Sequence, residues 1–165
     1  MNSISSDSCV WIDFQQIDEI AVPFKLPFKY LMYEETLKQE LALIDSLDQK
    51  LIELGLCSVN LLYEEIRLVI EYQKKYIRLS RFDCIALAIA KNRHIMLLTN
   101  DKCLRQASKE ENVNCLGTLG LIKKLFDEHW IDSDLYTRCL IKLEKIHKER
   151  RLPLSVIKEM LEIKI

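Results

Sequence analysis

The sequence predicts a three-layer α/β domain, with a central, mainly parallel sheet flanked by helices and further helices at its C-terminal end. Two observations carry this expectation. Short apolar blocks of strand length alternate with longer stretches whose apolar residues recur at helical spacing, and strands separated by helices imply crossover connections between parallel neighbours. The chain has 165 residues, 49% of them hydrophobic, which is the length of one ordinary domain with enough apolar side chains for a buried core. Only three Gly and three Pro punctuate it, and no low-complexity tract or internal repeat marks a linker. One domain is therefore expected over residues 1–165, its last part a helical extension over roughly 132–165.

In chain order, residues 2–6 read as a short first strand, followed from Asp7 by "SCVWIDFQQI", where Val10, Trp11, Phe14 and Ile17 recur at helical spacing. The prolines of "AVPFKLPFK" end that helix. "YLMY" (30–33) is compatible with a second strand, and "EETLKQELALIDSL" with a helix carrying Leu37, Leu41 and Ile44 on one stripe. "LLYEEIRLVIEYQKKY" and "SRFDCIALAIAKN" read as two more helices. "HIMLLT" is a short apolar block between a charged helix end and a helix start, hence a strand. "NVNCL" follows as the last strand and "GTLGLIKKLFDEHW" as the helix behind it. "SDLYTRCLIKLEKIHKER" and "LSVIKEMLEIKI" complete the chain as amphipathic helices parted at Pro153.

Several function classes are excluded. With 24 Lys+Arg against 25 Asp+Glu the net charge is −1, so a polyanion must be met by a local patch or through a bound cation. The cysteines at 9, 57, 84, 103, 115 and 139 form no C-x-x-C pair and have no His within three residues, which argues against zinc. Several lie in apolar runs, as expected of reduced, buried thiols. The N-terminus lacks a basic segment followed by an apolar one, and no apolar run has membrane-spanning length, so a cytoplasmic protein without a membrane partner is expected. Neither a dinucleotide fingerprint nor a P-loop occurs, and "GTLG" (117–120) reads as a strand-to-helix turn rather than a phosphate cradle. The three His are scattered, and Trp11, Phe14 and Trp130 read as core residues.

In parallel α/β sheets, ligands bind outside the carboxyl ends of the strands. Asp7 follows the first strand and Asp101 follows "HIMLLT", so both are expected on that edge. Glu40 and Asp83 lie in flanking helices within reach of it. Four converging carboxylates repel unless a divalent cation joins them, and hard oxygen donors without a His or Cys cluster favour Mg²⁺ or Mn²⁺. Each acid also has an ordinary structural role. Asp7 suits an N-cap, as does Asp101 or its neighbour Asn100; Ser80 and Asp83 form an S-x-x-D capping pair, and Glu40 suits a solvated helix face. Singly, each is better explained that way, but this leaves their serial order unexplained.

That order resembles the PIN-domain family of metal-dependent nucleases, which includes toxins of bacterial and archaeal toxin–antitoxin pairs. "SDSCVWIDF" is similar to the opening acidic motif, placing the first acid at Asp7. "LKQEL" sets Glu40 at the helical Glu-Leu, "SRFDCIALAIAKN" sets Asp83 before an Ala-rich helix, and "MLLTNDKCLRQAS" is similar to T-x-D followed by a basic helix. "CLGTLGLIKKLFDEHWI" and "RLPLSVIKEMLE" resemble the C-terminal region of one subgroup, so the likeness is weakest between residues 45 and 79. The resemblance implies a ribonuclease in which Asp7, Glu40, Asp83 and Asp101 hold one or two Mg²⁺ or Mn²⁺ ions for phosphodiester hydrolysis, supported by Thr99 and Asn100. Arg81, Lys102 and Arg105 become candidates to grip the RNA backbone, and an antitoxin or a second copy of the chain becomes a candidate partner. Cys9 departs from the usual Asn, Ser or Thr two residues after the first acid, a weaker hydrogen-bonding group where metal ligands are oriented. The alternative implied is a PIN fold that has lost catalysis and binds RNA or protein.

Overall fold

A computed structural model describes residues 2–162 of the chain. Among them five strands, β1 (Asn2–Ser6), β2 (Phe28–Tyr33), β3 (Cys57–Val59), β4 (Met96–Leu98) and β5 (Cys115–Leu116), form one sheet in the order β3-β2-β1-β4-β5. Every neighbouring pair is parallel. The helices are α1 (Ser8–Gln16), α2 (Glu34–Thr36), α3 (Leu47–Leu54), α4 (Tyr63–Lys75), α5 (Arg81–Arg93), α6 (Lys102–Glu110), α7 (Thr118–Asp127), α8 (Ser133–Lys145) and α9 (Leu154–Glu162). This is the three-layer α/β arrangement the alternating pattern implies. The last residues of "LSVIKEMLEIKI", 163–165, and Met1 lie outside the described residues.

Alternation along the strands sends side chains to two cores. Ile4, Tyr30, Met32 and Leu98 join Trp11 and Phe14 of α1, Leu121 and Leu125 of α7, Leu140 of α8 and Ile157 of α9. Leu31 and Leu97 point the other way, onto Val69 and Tyr72 of α4, the apolar face of α5 and Leu104 of α6. Trp11 anchors the first core, stacked on Phe24 at 5.4 Å and edge-on to Tyr30 at 5.0 Å between ring centroids. Trp130, expected in the core, is instead 44% exposed beyond the end of α7. The second core is thin where α5 crosses β1, because Ala86, Ala88 and Ala90 let the helix come close. Ser5 uses that proximity, donating its hydroxyl to the Ala86 carbonyl at 2.8 Å, while Ser6 donates to the Leu31 carbonyl at 3.0 Å. Two buried serines in a central strand are thereby satisfied.

Other departures from the sequence pattern have physical causes. The helix expected over "EETLKQELALIDSL" is one α-helical turn continued by a π-helical stretch, Leu37–Leu41, and stopped where Asp45 and Ser46 take positive φ. Leu37 and Leu41 are still both buried, since a π turn keeps them on one side. The strand read over "HIMLLT" is only Met96–Leu98, because His94 adopts a left-handed conformation (φ 54°) that caps α5. "NVNCL" contributes just Cys115–Leu116. Helix α3 and edge strand β3 lie in the stretch where no element was expected. All six cysteines are free thiols; Cys84 and Cys139 are buried, whereas Cys103 is exposed. No helix of the described residues is long and apolar enough to cross a membrane.

Candidate active site at the carboxyl edge of the sheet

Strand order reverses between β1 and β4. From β1 the chain steps outward to β2 and β3, and from β4 outward to β5, so the switch point, where sheets of this kind take their ligands, lies at the carboxyl ends of the two central strands. Asp7 stands at that point, its backbone N–H bonded to the Leu98 carbonyl at 2.9 Å. It caps α1 by accepting the Ser8 N–H at 2.8 Å on Oδ1, and its Oδ2 accepts the Thr99 hydroxyl at 2.9 Å and the Cys9 thiol at 3.1 Å. The π turn brings Glu40 alongside, where Oε1 accepts the Ser8 hydroxyl at 3.0 Å. Asp83 is the third residue of α5 and forms a capping box with Ser80, accepting its N–H on Oδ2 at 2.9 Å. Asp101 is the N-cap of α6, with Oδ1 accepting the Leu104 N–H at 2.8 Å.

The helix-cap roles are therefore real and yet do not use up the acids. Among the described residues the second carboxylate oxygen of Glu40, Asp83 and Asp101 accepts no hydrogen bond, and no Lys, Arg or His nitrogen lies within 4.0 Å of any of the four carboxylates. The acids feel one another instead. Burial, then the charges of Asp7 and Asp101, push Asp83 up to about 6. Asp7 is raised by burial and by Glu40, and Glu40 by burial and by Asp83. The structure thus places the four predicted acids in one electrostatic neighbourhood.

An all-oxygen donor set with unbalanced negative charge fits a hard divalent cation. Among the described residues no three His, Cys, Asp or Glu side chains are already arranged to hold an ion. A cation here would be reached partly through water or by rotation of the unengaged oxygens, as Mg²⁺ with its retained waters permits.

The supporting residues divide the work differently from expectation. Thr99 is buried and holds Asp7. Asn100 does not cap α6; its Oδ1 accepts the Thr118 N–H at 2.8 Å, so it serves the start of α7, while its amide donates to Asp13 at 2.6 Å. Gly117 makes room for it, since a Cβ there would meet Asn100 Oδ1 at 2.6 Å. The weak "GTLG" signal thus has a packing meaning. Cys9 is better connected than its chemistry promised. Burial and the neighbouring Asp7 charge push its thiol up, so it remains a donor to Asp7, and its sulfur accepts the Asn100 N–H at 3.4 Å.

Sequence reading missed Asp13. It is fully buried and takes hydrogen bonds from Arg150 Nε at 2.5 Å, Asn100 at 2.6 Å and the Thr118 hydroxyl at 2.7 Å. Arg150 also donates to the Cys9 carbonyl at 3.1 Å, tying the α8–α9 connection to the site. The available signal was position: Asp13 lies three residues after Val10 and four before Ile17, on the apolar stripe of α1. Of the proposed RNA contacts, Arg81 is drawn toward Glu35 at 3.6 Å, Lys102 is exposed, and Arg105 donates to the Thr99 carbonyl at 3.0 Å.

Fold and site together define a class, an α/β domain whose parallel sheet gathers acids at its switch point. Comparison narrows the class: the family described as PIN domain matches residues 3–164, and the chain belongs to that family, whose members are generally nucleases. No curated protein and no solved structure matches the chain.

Proposed function

We propose that this chain is a Mg²⁺- or Mn²⁺-dependent ribonuclease hydrolysing RNA phosphodiester bonds. The observation that carries the reading is the set of four carboxylates without a cationic partner, three of them raised by burial and by one another. Asp7, Glu40, Asp83 and Asp101 would hold the ion, which when bound supplies Lewis-acid polarisation of the phosphate and a water acidified toward hydroxide. Thr99 and Cys9 keep Asp7 oriented, and Ser8 keeps Glu40 turned inward. Asp83, pushed up to about 6 by burial and by the charges of Asp7 and Asp101, is half protonated near pH 6 in the metal-free protein and gains its full charge as pH rises further.

The test is cleavage of a mixed RNA pool by purified protein with and without Mg²⁺ or Mn²⁺. Wild type should cleave only with metal, and Asp83→Asn and Asp101→Asn should each lose about 100-fold or more. Equal inactivity of all three, without divalent-cation binding, would favour a catalytically lost PIN fold that binds RNA or protein. That second reading draws support from the absence of a preassembled three-residue cage among the described residues. The finer biological reading is a cytoplasmic toxin of a type II pair. Leu62, Ile66 and Ile70, exposed along one side of α4, support a surface for a cognate antitoxin or a second copy. Growth arrest on expression, relieved by a neighbouring gene product, is the expected result; no arrest would remove the toxin role.

A further inference from the structure

Beside the acids, a groove of about 1010 Å³ opens between α6, the edge strand β5 and the segment leading into α9. Its charges are all of one sign. Lys102, Arg105 and Lys109 recur at i, i+3 and i+7, forming one stripe along α6, and Arg151 faces them from the α8–α9 connection. No Asp or Glu lines the groove, and among the described residues none of these four cations lies within 4.0 Å of a carboxylate. The buried side of the same helix, Leu104 and Ala107, packs into the second core, so the basic stripe is held on a rigid support. Asn100 and Lys102, the two residues flanking Asp101, both line the groove.

We infer that this groove is the track for a single strand of RNA approaching the acidic centre, gripped by its phosphates. The inference rests on the ribonuclease reading for its occupant and adds where, and through which groups, the strand is held. From Lys102 to Lys109 the helix rises about 10 Å, enough to face successive phosphates of one strand. Gln106, Asn112 and Asn114 add neutral donors along the same wall. No aromatic side chain lines the groove, so there is no platform for base stacking, and the strand is read through its backbone with little sequence preference. An acidic peptide added to the sheet edge is the less favoured occupant. Strand β5 is two residues long, which leaves too little edge backbone for a peptide strand to pair with.

The test is equilibrium binding of a fluorescein-labelled mixed-sequence oligoribonucleotide in EDTA, so that no cleavage intrudes, across a range of salt. The proteins compared are wild type, the double variant Lys109→Gln/Arg151→Gln, and Lys74→Gln, which removes an exposed cation of α4 outside the groove. The double variant should bind about 10-fold more weakly at 0.1 M salt, and the slope of log K against log salt should fall by about 1.4, roughly 0.7 for each lost phosphate contact. Lys74→Gln should match wild type. A double variant with wild-type affinity and slope overturns the track. So does the result that poly-glutamate binds in a Lys109- and Arg151-dependent way while RNA does not, because the groove then takes an acidic polypeptide. Binding that behaves as expected in a protein that never cleaves with Mg²⁺ or Mn²⁺ sustains the track and removes the nuclease reading alone.

Discussion

Glu65 and Asp83 occupy the same place in successive helices. Each is the third residue of its helix, α4 or α5, and each reaches back to accept a backbone N–H three residues earlier, from Leu62 at 2.8 Å and from Ser80 at 2.9 Å. Their surroundings then diverge. Fully buried Glu65 is met by Arg93 through two nitrogens at 2.7 and 3.0 Å and by the Asn92 amide at 3.2 Å. Burial raises Glu65, but the Arg93 guanidinium and the Leu62 N–H outweigh it and hold the carboxyl below its ordinary value. Asp83 faces other acids and is pushed up to about 6. The fold therefore sets a guanidinium against the buried Glu65; it does the same at Asp13 with Arg150, although burial there still holds the carboxyl above its ordinary value. At the switch point it leaves the charge standing, a cost in stability that the proposed cation would relieve.

The largest expected effect breaks the neutralised member. Arg93→Ala would strand a buried carboxylate, lowering stability by about 3 kcal/mol and the melting temperature by about 6–12 °C for a domain of this size. Thermal denaturation followed by circular dichroism measures it, and a loss under 2 °C would mean that Glu65 does not depend on its partner. Next in size is a cation added to the other member. At about 100 times its dissociation constant, Mg²⁺ or Mn²⁺ should stabilise wild type by roughly 2.7 kcal/mol. The same titration on Asp83→Asn should give a much smaller rise, and equal rises would place the ion elsewhere.

Removing the unbalanced charge itself should act in the opposite direction to Arg93→Ala. In metal-free protein at pH 7.5, Asp83→Asn keeps an acceptor for the Ser80 N–H while deleting a charge that faces Asp7 and Asp101. A gain of about 1 kcal/mol is expected after allowance for solvent screening. The pH dependence has a definite sign. Folded Asp83 titrates near 6, above its unfolded value, so folding takes up a proton between roughly pH 4 and 6 and stability falls as pH rises through that window. The advantage of Asp83→Asn is thus full above about pH 6 and vanishes below about 4. Glu65 runs the other way: its contribution is present above its unfolded value and lost as pH falls through the lowered folded one. Paired melting curves at pH 4, 5, 6 and 7.5 would reveal a reversed order if the assignments were exchanged.

Apolar periodicity located α1, α4 and α5, and short apolar blocks located β2 and β4, because burying these faces leaves a mark in the sequence, whereas β1 carries Ile4 as its one apolar residue. It did not distinguish α from π geometry around Glu40, since Leu37 and Leu41 fall inward in both. Edge strand β3, with only Cys57 and Val59 partly covered, leaves almost no mark at all. The acids Asp7, Glu40, Asp83 and Asp101 were legible as a series, but nothing local separates Asp83 from Glu65: both look like caps. What separates them is a guanidinium 28 residues onward in one case and its absence in the other, a fact of tertiary placement. Asp13 is the opposite failure, an acid on an apolar stripe that pattern reading passed over and whose counter-charge arrives from 137 residues away.

The smallest effect concerns Cys9, whose sulfur lies between the two halves of the site, donating to Asp7 at 3.1 Å and accepting from Asn100 at 3.4 Å. Cys9→Ser puts the stronger hydrogen-bonding group in the same place. Asp7 already has the Thr99 hydroxyl and the Ser8 N–H, so global stability should change by no more than about 0.5 kcal/mol. Orientation of a ligating carboxylate is more sensitive than stability, because a hydroxyl bond to a carboxylate is shorter and stronger than one from a thiol. The single-turnover cleavage rate at saturating metal should accordingly rise by roughly 2- to 10-fold. A lower rate with unchanged melting temperature would show that the longer, softer sulfur contact sets Asp7 better than a hydroxyl can, and that the departure at this position is matched to the site instead of weakening it.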